Sequence, residues 1–444
     1  MSGTSKNSAA LTRLASLFDE GIFVEIDAEN SGGTKAGYGS VGGATVFAFC
    51  QDSAVNGGAV DKAQARKLSK VYDLAAKTGS PVITVYDSKG VRLDDPFNAL
   101  EASSEMLRKV SELSGVVPQI AVVVGPCGGF AAIAAAMADF CIMSEKGELF
   151  MTPAFTDKAA SGKTKDVGTL GFAQKAGVAA IGCESEAEAL AKASDIAKLL
   201  PLNNLEALPV IESAGAPVFD ADKCPMDTVC DADSVVELYT EMGSGARAAV
   251  ASIGGTPAGV ICMCGPLDRD DAAKCARVIE VCDSFNIPIV SFVNSEGFVK
   301  SADNDLCEGI RAAAKLTHVL AEATTAKISV VFGSAIGSVY SVFCGKNGGC
   351  DMSYAWPGAV ISPINTAAAV SVLWDDKIKK ASDVDALADE YAKTEASAQK
   401  AAEFGLVDAV IEPVDTRNRL ISALGMLSSK RVSRLPKKHG NMPL

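Results

Sequence analysis

Histidine is nearly missing from this chain: only His318 and His439 occur in 444 residues. Imidazole is the side chain most used to move protons near neutral pH, because its ordinary pKa lies close to 6.5. A reaction here would have to run largely without it. His318 falls in an apolar-periodic segment and reads as a helix-face or core residue, and His439 lies in the basic stretch at the C-terminus. There is also no Gly-x-Ser-x-Gly elbow, no His-Glu-x-x-His helix and no Walker loop.

Positive charge is in deficit too. Lys and Arg number 41 against 54 Asp and Glu, a net charge of −13, which argues against a nucleic-acid partner. The most apolar stretch, Val116 to Ala138, is broken by Pro118, Gln119, Gly125, Pro126, Gly128 and Gly129, so it reads as a strand, a turn and a helix instead of a membrane span. The first residues, MSGTSKNSAALTRLASLFDEG, lack the apolar core and cleavage site of a secretory signal. Thirteen cysteines, an odd number without a regular framework, fit reduced thiols in a cytoplasmic protein. Cys262 and Cys264 form Cys-x-Cys with no second pair at zinc-ribbon spacing, so no metal is expected.

What the chain does contain is a repeat. Pro81 to Gly90 reads PVITVYDSKG and Pro288 to Gly297 reads PIVSFVNSEG, an offset of 288 − 81 = 207. Ile120 to Gly129 (IAVVVGPCGG) matches Ile328 to Gly337 (ISVVFGSAIG) at 337 − 129 = 208. Self-similarity at so long and steady a period indicates two copies of one folding unit. The expected domains are 1–215 and 230–444, joined by a Pro-, Ala- and Asp-rich linker over Leu208–Asp231.

Within each copy, strands alternate with helices. In the first, Gly37–Cys50 predicts a hairpin, Ala63–Lys77 a helix, Val82–Tyr86 a strand, Ala99–Leu113 a helix, Ile120–Val124 a strand and Phe130–Met137 a helix. In the second, Val250–Met263, Ala272–Ser284, Ile289–Val293 and Asp305–Ala323 repeat the order. The class is α/β with largely parallel sheets.

Both copies run a strand into a glycine-containing turn, at Gly125–Phe130 and Gly333–Ser338. A helix that starts from such a turn offers unpaired backbone N–H groups and the positive end of its dipole, which can stabilise negative charge developing on oxygen. Tight packing is the alternative reading of either turn. A matched pair suits a reaction that holds two carbonyl oxygens.

Several segments together resemble the carboxyltransferase component of biotin-dependent acyl-CoA carboxylases and decarboxylases: FDEGIFVEID (18–27), AGYGSVGGATVFAFCQD (36–52), SGVVPQIAVVVGPCGG (114–129), LLPLNN (199–204), CDSFNIPIVSFVNSEGF (282–298), YAWP (354–357) and PKKHGNMPL (436–444). The resemblance implies two tandem crotonase-like domains, the first for acyl-CoA and the second for biotin. By position it assigns the thioester carbonyl to backbone amides at Gly129 and Phe130, with Gly90, Gly128 and Ala131 lining the substrate side. The biotin carbonyl falls to the amides of Ser338 and Val339, with Gly337, Tyr340 and Trp356 on the cofactor side, although Trp356 can equally be core. The family further implies a biotin carboxyl carrier protein on a separate chain, biotin carboxylase or membrane decarboxylase subunits as partners, and a homodimer or trimer of dimers.

The sequence also departs from the family pattern. Lys89 and Val91 stand in the first-half loop where smaller residues are usual, Phe130 stands at a position commonly glycine, and the segment between Thr152 and Gly177 is short. A biotin-independent crotonase-type enzyme would need an acid at the thioester, for which Asp87 and Glu296 are the candidates. A non-catalytic assembly subunit is the third reading. Asp351 reads as structural, and the basic tail Lys430–Lys438 as a solvated surface or as docked on the protein.

Overall fold

Among the described residues, sixteen strands fall into two sheets of eight whose strands are ordered alike. The structure is a computed structural model that describes residues 8–28, 33–152, 167–215, 217–306 and 308–443. The first sheet contains β1 (Phe23–Glu25), β2 (Thr34–Val41), β3 (Ala44–Gln51), β4 (Val82–Ser88), β5 (Gln119–Gly128), β6 (Phe140–Ser144), β7 (Glu148–Phe150) and β8 (Ile181–Cys183). The second contains β9 (Val236–Leu238), β10 (Ala246–Ile253), β11 (Thr256–Met263), β12 (Ile289–Ser295), β13 (Lys327–Ile336), β14 (Met352–Ala355), β15 (Val360–Ser362) and β16 (Ala409–Val410). The order β1-β2-β3-β4-β5-β6-β8, with β7 on β5, is repeated as β9-β10-β11-β12-β13-β14-β16, with β15 on β13.

Each sheet starts antiparallel and continues parallel. The hairpins turn at Gly42-Gly43 and Gly254-Gly255, all four with positive φ, the conformation that a two-residue loop needs to follow the strand twist. Every residue of β4 is buried, as expected of a parallel strand covered on both faces, and the Val/Ile-rich runs supply that burial. Val82 pairs with Gln119 and Ile289 with Lys327, so the duplication extends to register. Another matched device ties β5 to β6 and β13 to β14. Asp139 accepts the N–H of Gln119 and returns its own to the Gln119 carbonyl, and Asp351 does the same with Lys327. The structural reading of Asp351 is the one observed.

Helices cover the sheets. Lys62–Thr78 is capped by Asp61, which accepts from the N–H of Gln64, and it stops at Gly79 with φ 63°. Arg269–Ser284 begins with a capping box between Asp268 and Asp271. The expected single helix over 305–323 is instead two, Ala302–Leu306 and Gly309–Glu322. Glu308 has φ 78°, outside the helical range, and precedes the second. The apolar period survived this break and concealed it.

The chain divides into two compact units, one running up to Pro209 with Tyr239–Glu241 added, the other formed by Val210–Leu238 and the chain from Met242 onward. Each has its own core. Phe49, Leu68, Tyr86, Met106 and Val123 lie in the first, and Val260, Phe292, Val330, Trp356 and Leu420 in the second. The basic tail docks on the second unit: Lys430 reaches Asp351 at 2.7 Å, and Arg434 and Lys437 both reach Glu322. No helix among the described residues is long and apolar enough to cross a membrane.

Candidate active site

The strand β5 runs further than the sequence suggests, carrying Gly125 to Gly128 in extended form, so the turn is made by Gly129 alone. Gly129 has φ 61° and ψ −124°, and the helix Phe130–Met137 starts directly after it. Its own N–H donates to the carbonyl of Phe150 on β7 at 2.8 Å, and its carbonyl accepts the first helical bond, from Ile133, at 3.2 Å. Gly129 thus contributes its left-handed conformation and its lack of a Cβ, while its N–H is committed to β7. The N–H groups of Phe130, Ala131 and Ala132 occupy the first helical turn, where no intrahelical carbonyl can reach them.

The second unit reproduces this turn. Gly337 has φ 62°, its N–H donates to Ser362 on β15 at 2.8 Å, and its carbonyl takes the N–H of Ser341 at 3.4 Å. Here the chain continues into a π-helical turn over Tyr340–Cys344 instead of the ordinary helix expected. Ser338 is exposed and Val339 is buried, so an acceptor arriving at this end meets main-chain N–H groups beside a small hydroxyl. A neutral carbonyl oxygen suits such donors.

The carbonyls that hold the two glycines come from three-residue strands, Glu148–Phe150 and Val360–Ser362, which carry no recognisable sequence signal. They were missed at the level of sequence.

The remaining expected residues separate by what their side chains do. Gly128 could not carry a Cβ, which would stand 2.5 Å from the Phe150 ring. Ala131 is fully buried in the first core, leaving only its amide for the site. Phe130 packs partly against the same core, so its ring is turned at least in part away from solvent. Gly90, with φ 125°, has open space where its Cβ would be, and its N–H and carbonyl both bond the hydroxyl of Ser88. Gly297 and Ser295 make the same pair of bonds in the second unit. The backbone of Lys89 bonds to Gly57, whereas Val91 bridges to Val60. Tyr340 is half-buried and donates its hydroxyl to the Leu406 carbonyl at 2.8 Å, and burial pushes its pKa up to about 12.

Trp356 lies in the second core, one of the two places open to it from the sequence. It is 7% exposed, its ring meets Phe332 edge-on at 5.6 Å, and its Nε1 donates to Thr416 at 2.9 Å. The indole's polar and apolar needs are both met inside the second core. The shortened segment between Thr152 and Gly177 falls mostly on 153–166, outside the described residues.

The two candidate acids sit in different surroundings. Asp87 is buried and bound at Oδ2 by Arg13 at 2.7 Å and by Ser53 at 2.8 Å. Arg13, from the helix Ala9–Leu17, also grips Glu186 through two bonds of 2.9 Å. Glu296 is exposed and accepts from Asn365 at 2.7 Å. The features common to both units are backbone donors at a helix start, which act by position and electrostatics.

Residues 7–442 match the family model for the Carboxyl transferase domain. Methylmalonyl-CoA decarboxylase subunit alpha of Veillonella parvula is 35% identical over 476 residues, covering 98% of this chain and 93% of that protein. The propionyl-CoA carboxylase carboxyltransferase subunit of Haloferax mediterranei is 37% identical over 442 residues, covering 93% of this chain and 86% of its own length. The crystal structure of transcarboxylase 12S, a hexamer assembly with methylmalonyl-CoA bound, is similar with a TM-score of 0.91 and 30% identity over 99% of this chain and 93% of that one. The chain belongs to the carboxyl transferase family, as a tandem crotonase-like carboxyltransferase subunit of biotin-dependent acyl-CoA carboxylases and decarboxylases.

Proposed function

We propose that the turn at Gly129 serves the acyl-CoA and the turn at Gly337 serves biotin. The observation that carries this reading is the repeated geometry: φ of 61° and 62°, a glycine N–H committed to a short strand at 2.8 Å in each case, and a helix start directly behind. The amides of Phe130 and Ala131 hold the thioester oxygen as the α-carbon gives up its carboxyl group, or its proton in the reverse direction, so that charge spreads onto an oxygen already faced by donors. The amides of Ser338 and Val339 hold the ureido oxygen. Biotin, when bound, would carry the exchanged carboxyl group on its ureido nitrogen, giving it up in the carboxylase direction and receiving it in the decarboxylase direction. Gly90, with open space where a Cβ would be, leaves the backbone of the acyl side uncovered, and Gly128 lets the Phe150 ring pack against the strand leading to the turn.

The acyl group proposed is the propionyl/methylmalonyl pair, because the decarboxylase and carboxylase relatives act on it by name and the transcarboxylase binds methylmalonyl-CoA. Biotin on a separate carrier chain, assembly as a homodimer or trimer of dimers, further carboxylase or membrane decarboxylase subunits, and a cytoplasmic location belong to the same proposal. A hexamer is described for the transcarboxylase.

The test is consumption of methylmalonyl-CoA and malonyl-CoA by the purified protein with and without free biotin. Biotin-dependent loss, faster for methylmalonyl-CoA and abolished in folded Gly337→Trp, is expected. Loss that ignores biotin would return the reaction to the biotin-independent class.

A further inference from the structure

Three cysteines of the second unit meet at one point, away from both glycine turns in the sequence. Cys262 lies in β11, and Cys264 follows it two residues on, where the ladder continues through the N–H of Cys264 to the Gly245 carbonyl at 3.0 Å. Residues two apart on extended chain share a face, and the two Sγ atoms are 3.7 Å apart. Cys224 comes from the segment before the short helix Pro225–Val229 and puts its Sγ 2.6 Å from that of Cys262. All three sulfurs lie within 4.8 Å of one another. Among the described residues no other group of three potential ligands converges in this way. Spacing alone could not reveal it, because the third thiol stands 38 residues before Cys262.

We propose that Cys224, Cys262 and Cys264 bind one thiophilic d10 cation, Zn2+ or Cu+, through three thiolates. A metal–sulfur distance of about 2.3 Å places ligand sulfurs roughly 3.8 Å apart around such an ion. The Cys262–Cys264 edge already has that length, and Cys224 would withdraw by about 1.2 Å to complete the triangle. Thiolate is the ligand type that selects soft cations over Mg2+ or Ca2+. Cys262 is fully buried, Cys224 half-buried and Cys264 exposed, so the site has an inner anchor and an open side. On the open side an ion can take a water as fourth ligand, or remain three-coordinate. Arg247 lies opposite Cys262 in the hairpin, held by ion pairs to Asp227 and Glu237. Bound there, the cation would fasten the segment leading into Cys224 to β11.

The full chain, stripped of metal by a chelator and kept reduced under anaerobic conditions, would be equilibrated separately with Zn2+ and with Cu+ against a competing chelator, then assayed by elemental analysis. About one equivalent of one of the two ions is expected. Its binding should raise the melting temperature in proportion to the logarithm of free metal. The exposed-site variant Cys264→Ser should lose the ion while keeping its circular dichroism, and Cys224→Ser should do the same. Cys230→Ser, at a buried thiol outside the triangle, should retain it. Less than about a tenth of an equivalent in both arms, or full binding by the folded Cys264→Ser and Cys224→Ser variants, overturns the proposal. So does a Cys224–Cys262 disulfide recovered from the reduced preparation, since that bond would consume two of the three ligands.

Discussion

Oδ1 of Asp87 stands 2.2 Å from the point where a Cβ on Gly125 would lie. Asn294 repeats the relation over Gly333, also at 2.2 Å, and its Oδ1 accepts the N–H of Ser334 at 2.9 Å. In the first unit the residue after the glycine is Pro126, which has no N–H to give, and Asp87 is instead bound through its other oxygen by Arg13 and Ser53. Gly125→Ala and Gly333→Ala should each cost about 2–3 kcal/mol, since the methyl displaces a polar side chain that is already committed, buried Asp87 in one case and partly buried Asn294 in the other. Thermal unfolding reads this as a fall of several degrees in Tm, and an unchanged Tm would refute the close approach.

At the two turns the balance differs. Around Gly129 the nearest atom to an added Cβ is 3.8 Å away, so Gly→Ala there costs mainly backbone strain at a positive φ, about 1–3 kcal/mol, whereas at Gly337 the Pro363 carbonyl at 3.2 Å adds a steric part. Turnover should fall by about 100-fold, the usual effect of displacing one oxyanion donor. Steady-state rates with the folded variants check it. Activity within threefold of the parent at either position would remove that turn from the chemistry.

Arg13→Met should be far more costly than an average substitution, about 3–5 kcal/mol, because it strands the buried carboxylate of Asp87 and releases Glu186 together. The double change Arg13→Met with Asp87→Asn should recover part of the loss. Urea unfolding of the parent, both single variants and the double variant yields the coupling, and strict additivity would contradict a shared buried pair.

Alkali should destabilise the protein before it affects the surface ion pairs. Burial pushes the thiols of Cys141, Cys275 and Cys282 up to about 12. With a folded pKa above the unfolded one, near 8.5, each thiol contributes stability that is complete below pH 8.5 and is lost as pH rises toward 12. At pH 9.5 the loss is about 1.4 kcal/mol per such thiol. The urea midpoint at pH 7.5 and 9.5 measures it, and Cys282→Ala should blunt the change.

Much of the frame was legible in the sequence because it is written in repeated, locally determined features. The Pro81 and Pro288 phrases locate β4 and β12, and paired glycines mark both hairpin turns. Gly129 and Gly337 were recognisable as turn residues from their place after a Val/Ile run. Their donors' destinations were not, since Phe150 and Ser362 lie in three-residue strands that form only when a neighbouring strand receives them. Arg13 was hidden in the same way, its partners lying 74 and 173 residues along the chain. Trp356 could be either wall or core until Thr416 was found against its indole nitrogen, and the break at Glu308 left the helical period undisturbed.

Asp87 and Asn294 make the two halves unequal as parts, despite their common plan. Both put an oxygen over a glycine, but only one of them brings a charge into the interior, and that charge relies on a helix near the beginning of the chain. A chimera that carried the Asp87 loop into the second half would import a buried anion without its guanidinium. Exchange in the other direction would leave Arg13 facing an amide. Grafts between the copies therefore have to move Arg13 and Asp87 as a pair.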